Sequence, residues 1–237
     1  MEKLKPNEQR AKTAILWIWI VLALEIVSLI SSYMQYNLLQ IVANGGFISE
    51  KAAEANDIRE AIVGGIYAIA YIVSFITFIM WFRRSYFNLH QKVRWLQFSE
   101  SWAAGSWFVP IINLYRPYQI MKEIYVETKY LFTKKGLSEE VGYTTSYLGW
   151  WWALWLISGF VGQIVFRAAF RGADTVNSLI STTVGHMILC VLGIPLAFIM
   201  VKIIRDYSKI EPLLAQINED EPTIDSTNNV ESLPNRE

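Results

Sequence analysis

Residues 101–115 read SWAAGSWFVPIINLY, an apolar run of 15 residues broken by Pro110. As a helix it would extend about 22 Å, whereas crossing a hydrocarbon core of roughly 30 Å takes about 20 residues. The segment therefore reads as a re-entrant or interfacial element. Four other runs are long enough to cross: residues 14–36, 61–82, 147–166 and 183–204. Each must be helical, because a lone strand would leave backbone polar groups unpaired in lipid. The basic residues test the count independently, since they gather on the cytoplasmic side. Four spans put 17 of the 21 Lys and Arg inside and 4 outside; counting 101–115 as a fifth gives 10 against 11 and abolishes the bias. The expected fold is all-α, an integral membrane four-helix bundle with both termini cytoplasmic.

Composition agrees with this reading. The 237 residues are 53% hydrophobic and 18% charged, below the quarter expected of a soluble domain, with the charges clustered between apolar runs. The net charge is +0, which gives no electrostatic reason to expect nucleic acid. One cysteine, Cys190, excludes an internal disulfide, and with only two histidines no metal site or other cofactor is expected. The basic start (Lys3, Lys5, Arg10, Lys12) before an apolar run resembles a signal peptide. Glu25 and the lack of a small-x-small cleavage site favour an uncleaved first span.

Between the spans, Glu50, Glu54, Asp57 and Glu60 alternate with alanines, which suits a helix capped by Ser49 and running into the second span. Residues 83–146 form the large cytoplasmic loop. Within it Pro117 suits the first turn of a helix continuing through Lys135. Its Ile120, Ile124 and Leu131 share a face that can rest on the membrane surface. The tail from 211 to 237 is acidic and proline-bearing, and is expected to be disordered.

The loop also carries the most distinctive residues: Arg84, Asn88 and Leu89, then Trp107, Phe108, Pro110, Asn113, Leu114, Arg116, Pro117, Met121, Glu123 and Ile124, followed by a tryptophan-rich third span. This arrangement resembles the bacterial family called domain of unknown function 4328, over roughly Ile62 to Tyr207. The resemblance implies a multipass membrane fold in a bacterial inner membrane, and supplies no substrate, catalytic residue or partner.

Arg84, Asn88, Asn113, Arg116, Pro117 and Glu123 are the candidates for ligand or partner contact. Asn113, Arg116, Gln119 and Glu123 could face a cavity together. The structural alternative is that Asn113 and Arg116 tie an irregular turn to helix ends and lipid phosphates. Inside the membrane, Glu25 lies mid-span, where a charge costs on the order of 3 kcal/mol. Tyr71, Ser74, Trp155 and Ser158 lie at similar depth. His186 lies nearer the outer face, so a direct pair with Glu25 is not expected. Trp150, Trp151, Trp152 and Trp155 read as an interfacial belt. The small pairs Ala61/Gly65, Gly64/Ala68 and Ser158/Gly162 suit close helix contacts. No GxSxG, HExxH or P-loop pattern points to an enzyme. The reading with most support is a membrane-embedded interaction or regulatory protein, its partners the lipid bilayer and either a second copy or another membrane protein. The alternative is a transporter or channel subunit that handles a proton, ion or small molecule through Glu25 and the 101–117 element.

Overall fold

In the computed structural model, which describes residues 4–137, 142, 144–170 and 175–217, the described residues contain helices and no strand. The helices are α1 (Glu8–Ala43), α2 (Glu50–His90), α3 (Trp102–Gly105), α4 (Arg116–Lys134), α5 (Ser146–Phe170) and α6 (Val176–Ile210). Short 3-10 turns cover Ile112–Leu114 and Glu211–Gln216. The four helices long and apolar enough to cross a membrane contain the four expected spans, and 101–115 holds only α3 and a turn. Ser49 caps α2 as expected, its Oγ accepting from Ala52 N at 3.3 Å. Pro117 sits in the first turn of α4.

The chain divides into two compact units. Unit 1 contains residues 1–11, 79–148 and 203–237; unit 2 contains residues 12–78 and 149–202. Unit 2 is built on the runs that read as spans. From Ala14 to Ser32 of α1 the buried positions are Ala14, Ile18, Val21, Leu22, Glu25, Ser28, Ser31 and Ser32, the three-and-four spacing of a helix face. The N-terminal half of that face is apolar and the C-terminal half polar. Ile26, Ile30, Ile62, Ile66, Ile69, Ile72 and Phe160 point outward, as side chains meeting lipid should.

Two expectations change here. The tryptophans of α5 are only partly a belt: Trp150 is exposed, but Trp151 and Trp152 are buried, and Trp151 packs against Phe78 with ring centroids 6.4 Å apart. A Cβ at Gly64, Gly65 or Gly162 would meet nothing within 4 Å, so these three glycines make no close helix contact. The close approaches are at Gly185, against Val165, and Gly193, against Glu25. Small spacing permits contact without requiring it.

In unit 1 the core gathers Trp81, Phe82, Tyr86 and Leu89 from α2, Ile120, Met121, Ile124, Tyr125 and Phe132 from α4, and Ile203, Ile204 and Tyr207 from α6. The apolar face of α4 therefore packs on protein, where the sequence pattern suggested the membrane surface. Tyr125 Oη donates to the Ile203 carbonyl at 2.6 Å, and the Tyr125 and Tyr207 rings lie 5.7 Å apart. The disorder expected from residue 211 is also corrected. Glu211–Gln216 is helical, Leu214 and Ile217 are buried, and Lys92 Nζ donates to the Ile217 carbonyl at 2.7 Å. The remainder of the tail, 218–237, lies outside the described residues.

Candidate functional site

Two polar candidates of the loop, Asn88 and Glu123, spend their side chains on hydrogen bonds inside unit 1. Asn88 binds the start of the chain on both sides: Lys5 N donates to its Oδ1 at 2.9 Å, and its Nδ2 donates to the Lys5 carbonyl at 2.9 Å. The same Nδ2 donates to Glu211 Oε1 at 2.7 Å. Asn7 Nδ2 lies within 3.0–3.1 Å of both Glu211 oxygens and 2.9 Å from Ser85 Oγ. This knot joins three segments far apart in sequence, and Glu211, Asn7, Asn88 and Ser85 are all buried. Burial pushes the Glu211 carboxyl up to about 7, against the hydrogen bonds from Asn7, Asn88 and Ser85 and the pull of Arg84.

Glu123 serves a second junction. Its Oε2 accepts from Tyr86 Oη at 2.6 Å and its Oε1 from Gln97 N at 2.6 Å. Tyr86 Oη also lies 2.9 Å from the Phe98 carbonyl. Glu123 thus orders the backbone that leads from α2 to α3. Arg116 lies against aromatic rings, its guanidinium carbon 4.0 Å from the Phe98 centroid and 5.6–5.7 Å from Tyr115 and Trp102. Pro117 is buried, and the backbone N of Asn113 donates to the Val109 carbonyl, four residues back, at 3.0 Å. Glu123 is thus buried at its own junction, while Gln119 is exposed.

The turn these residues support has an unusual tip. Ile111 adopts φ 67°, a left-handed conformation that a β-branched residue avoids, and the residue is 74% exposed. Phe108, Val109, Leu114 and Tyr115 are exposed beside it in sequence.

In unit 2, Glu25 is 7% exposed, and Tyr67 Oη donates to its Oε1 at 3.2 Å. Tyr67 lies one turn from Tyr71, the residue at similar depth by sequence. Among the described residues Glu25 Oε2 has no hydrogen-bond partner. A Cβ on Gly193 would stand 2.0 Å from Glu25 Oε1, so the glycine is what admits the carboxyl. His186 pairs instead with Ser32 Oγ at 3.0 Å, and Cys190 Sγ lies 4.0 Å from the same Nδ1. Among the described residues no three His, Cys, Asp or Glu gather as metal ligands would.

Sequence reasoning missed Asn7, Ser85, Tyr86 and Glu211, and Gly193 as the glycine that admits Glu25. Only the bare facts of an Asn just ahead of an apolar run and an acid just after one stood in view.

No curated protein and no solved structure matches the chain. One family model does, and it covers the stretch holding Arg84, Asn88, Asn113, Arg116, Pro117, Glu123 and His186, leaving Asn7, Glu25 and Glu211 outside it. Matched over residues 44–209, the chain belongs to the family described as Domain of unknown function (DUF4328).

Proposed function

We propose that this chain is a membrane-embedded interaction or regulatory protein of a bacterial inner membrane, with unit 1 cytoplasmic and the turn at 107–115 as its contact surface. One observation carries the reading: Ile111 holds a strained left-handed backbone while exposing an apolar side chain. Strain of this kind costs of order 1–3 kcal/mol and tends to be kept where function needs it. Glu123 and Tyr86 are occupied in building the junction beside the turn, whereas Ile111 presents an exposed apolar side chain at its tip. Open small-residue faces at Gly64, Gly65 and Gly162 support a second copy or another membrane protein as partner.

Photo-crosslinking from position 108 in native membranes tests this. Discrete protein adducts are expected, and fewer from position 129 on the exposed side of α4; adducts to lipid alone would reduce the turn to an anchor. A companion result is expected from Ile111→Gly, which relaxes the backbone and deletes the contact. Its thermal stability should equal or exceed that of the parent by up to about 1 kcal/mol, while adduct yield from position 108 falls several-fold. A clear loss of stability would remove the strain argument.

Orientation is tested by single cysteines in a Cys190→Ala background. Ala55→Cys should react with impermeant maleimide in intact cells, and Lys134→Cys only after permeabilisation. External reaction at 134 would overturn the four-span orientation.

The second reading, a transporter or channel subunit, is favoured by the unsatisfied Oε2 of Glu25.

A further inference from the structure

Lys5, Arg10, Arg83, Arg84, Phe87 and Glu100 line a cavity of about 360 Å³ in unit 1. Four cations thus face one carboxylate, in a chain with no net charge. The cations are positioned by identifiable contacts. Arg10 Nη1 donates to the Met80 carbonyl at 3.1 Å, Lys5 Nζ lies 4.2 Å from the Phe87 centroid, and Arg84 lies 5.8 Å from the same ring. Arg83 Nε is 2.9 Å from Glu100 Oε1, with side-chain exposures of 56% and 34%. Burial lowers the Arg10 pKa, and repulsion from Arg84 and Arg83 lowers it further. Like charges held together at that cost are relieved by a bound anion.

We propose that this cavity binds a phosphoryl group, taken between Arg10 and Arg84 with Lys5 and Arg83 completing the cradle. Phosphate chemistry fits because guanidinium groups present forked donors to its oxygens and no acidic proton is needed from the site. The positions favour a headgroup as the source of the phosphate. Arg83 and Arg84 follow directly on the apolar run that ends at Phe82, and Arg10 stands one helical turn ahead of Ala14, so all three fall at the level where a bilayer presents phosphates. A soluble phosphate compound would offer the same group. The site goes beyond the contact surface proposed at 107–115 and shares no residue with it, so either can fail alone.

The test uses the full chain in nanodiscs. One arm compares phosphatidylglycerol with phosphatidylcholine discs by native mass spectrometry and thermal shift. The other titrates inorganic phosphate and ADP into phosphatidylcholine discs. Arg84→Gln should weaken binding about tenfold, the loss of one charge-assisted contact, and Glu100→Gln should strengthen it by removing the carboxylate that lines the cavity. The exposed pair Arg83–Glu100 adds little stability, so the second variant stays folded, and it covers the case in which Arg84→Gln fails to fold. Selective retention of phosphatidylglycerol assigns the headgroup; protection by phosphate or ADP alone assigns a soluble source and keeps the site. Binding that follows neither substitution, or no binding in either arm, overturns the proposal.

Discussion

Asn88→Asp should disrupt unit 1 more than any surface substitution in the loop. The change keeps the acceptor that receives Lys5 N but replaces the amide donor, so the Lys5 carbonyl loses its 2.9 Å bond and Glu211 meets a second carboxylate in place of a donor at 2.7 Å. Two buried carboxyls at that distance cannot both ionise. A loss of about 3–5 kcal/mol is expected, the scale for stranding a buried charged group. Glu211→Gln should restore much of it, because an amide can donate to the new Asp. Glu211→Gln alone reports the pH dependence. Burial holds the folded-state pKa of Glu211 at about 7, above its unfolded value of 4.5, so the folded protein binds the extra proton between those limits. Stability from this group is fully present below the unfolded pKa and is lost as pH rises through about 7, by something of order 3 kcal/mol. Arg84 is the charged group acting on it, and it moderates the loss. The parent should therefore melt lower at pH 8 than at pH 5.5, with a flatter profile in Glu211→Gln. Equal slopes in the two proteins would remove Glu211 from the account.

The four spans were legible because twenty apolar residues in a row have few alternatives, and the distribution of basic residues supported the same count. Local chemistry was also legible: Ser49 as a cap and Pro117 as an opening residue act within a turn of themselves. What could not be read were partners separated along the chain. Asn7 and Glu211 meet across 204 positions, and no local pattern records that. Pro212 and the acids after it made the region look like an unstructured tail, although Leu214 and Ile217 carry enough apolar surface to pin its first turns. The face of α4 shows a related ambiguity. Ile120, Ile124 and Leu131 give the same periodicity whether the helix rests on lipid or on protein, and only the tertiary structure separates the two. Glu123 and Asn88 read from the sequence as candidates for ligand or partner contact, and their hydrogen bonds close junctions within unit 1.

Gly193→Ala is expected to displace Glu25 without touching its chemistry. The new methyl would stand 2.0 Å from Oε1 and 2.4 Å from Cδ, so the carboxyl must swing aside and release Tyr67. Because the obstruction is the end of a flexible side chain, the helices need not separate, and the cost should be about 1–3 kcal/mol, typical of an overpacked interior. Glu25→Ala clears the same space, so the double variant should recover at least about 1 kcal/mol relative to the sum of the single changes. Additive losses would mean that the methyl strikes backbone instead. Glu25→Gln is different: it keeps the shape and the acceptor for Tyr67 while removing ionisation, and should melt close to the parent. Glu25→Leu should fall by about 1 kcal/mol, leaving the tyrosine hydroxyl unpaired. These stabilities decide how function is then tested. In proteoliposomes with an internal pH dye, parent and Glu25→Gln should show the same slow proton leak if Glu25 only fastens α1 to its neighbours. A proton or cation flux in the parent that is absent from an equally stable Gln variant would overturn that scaffold reading. It would also place the unsatisfied oxygen of Glu25 on a transport path.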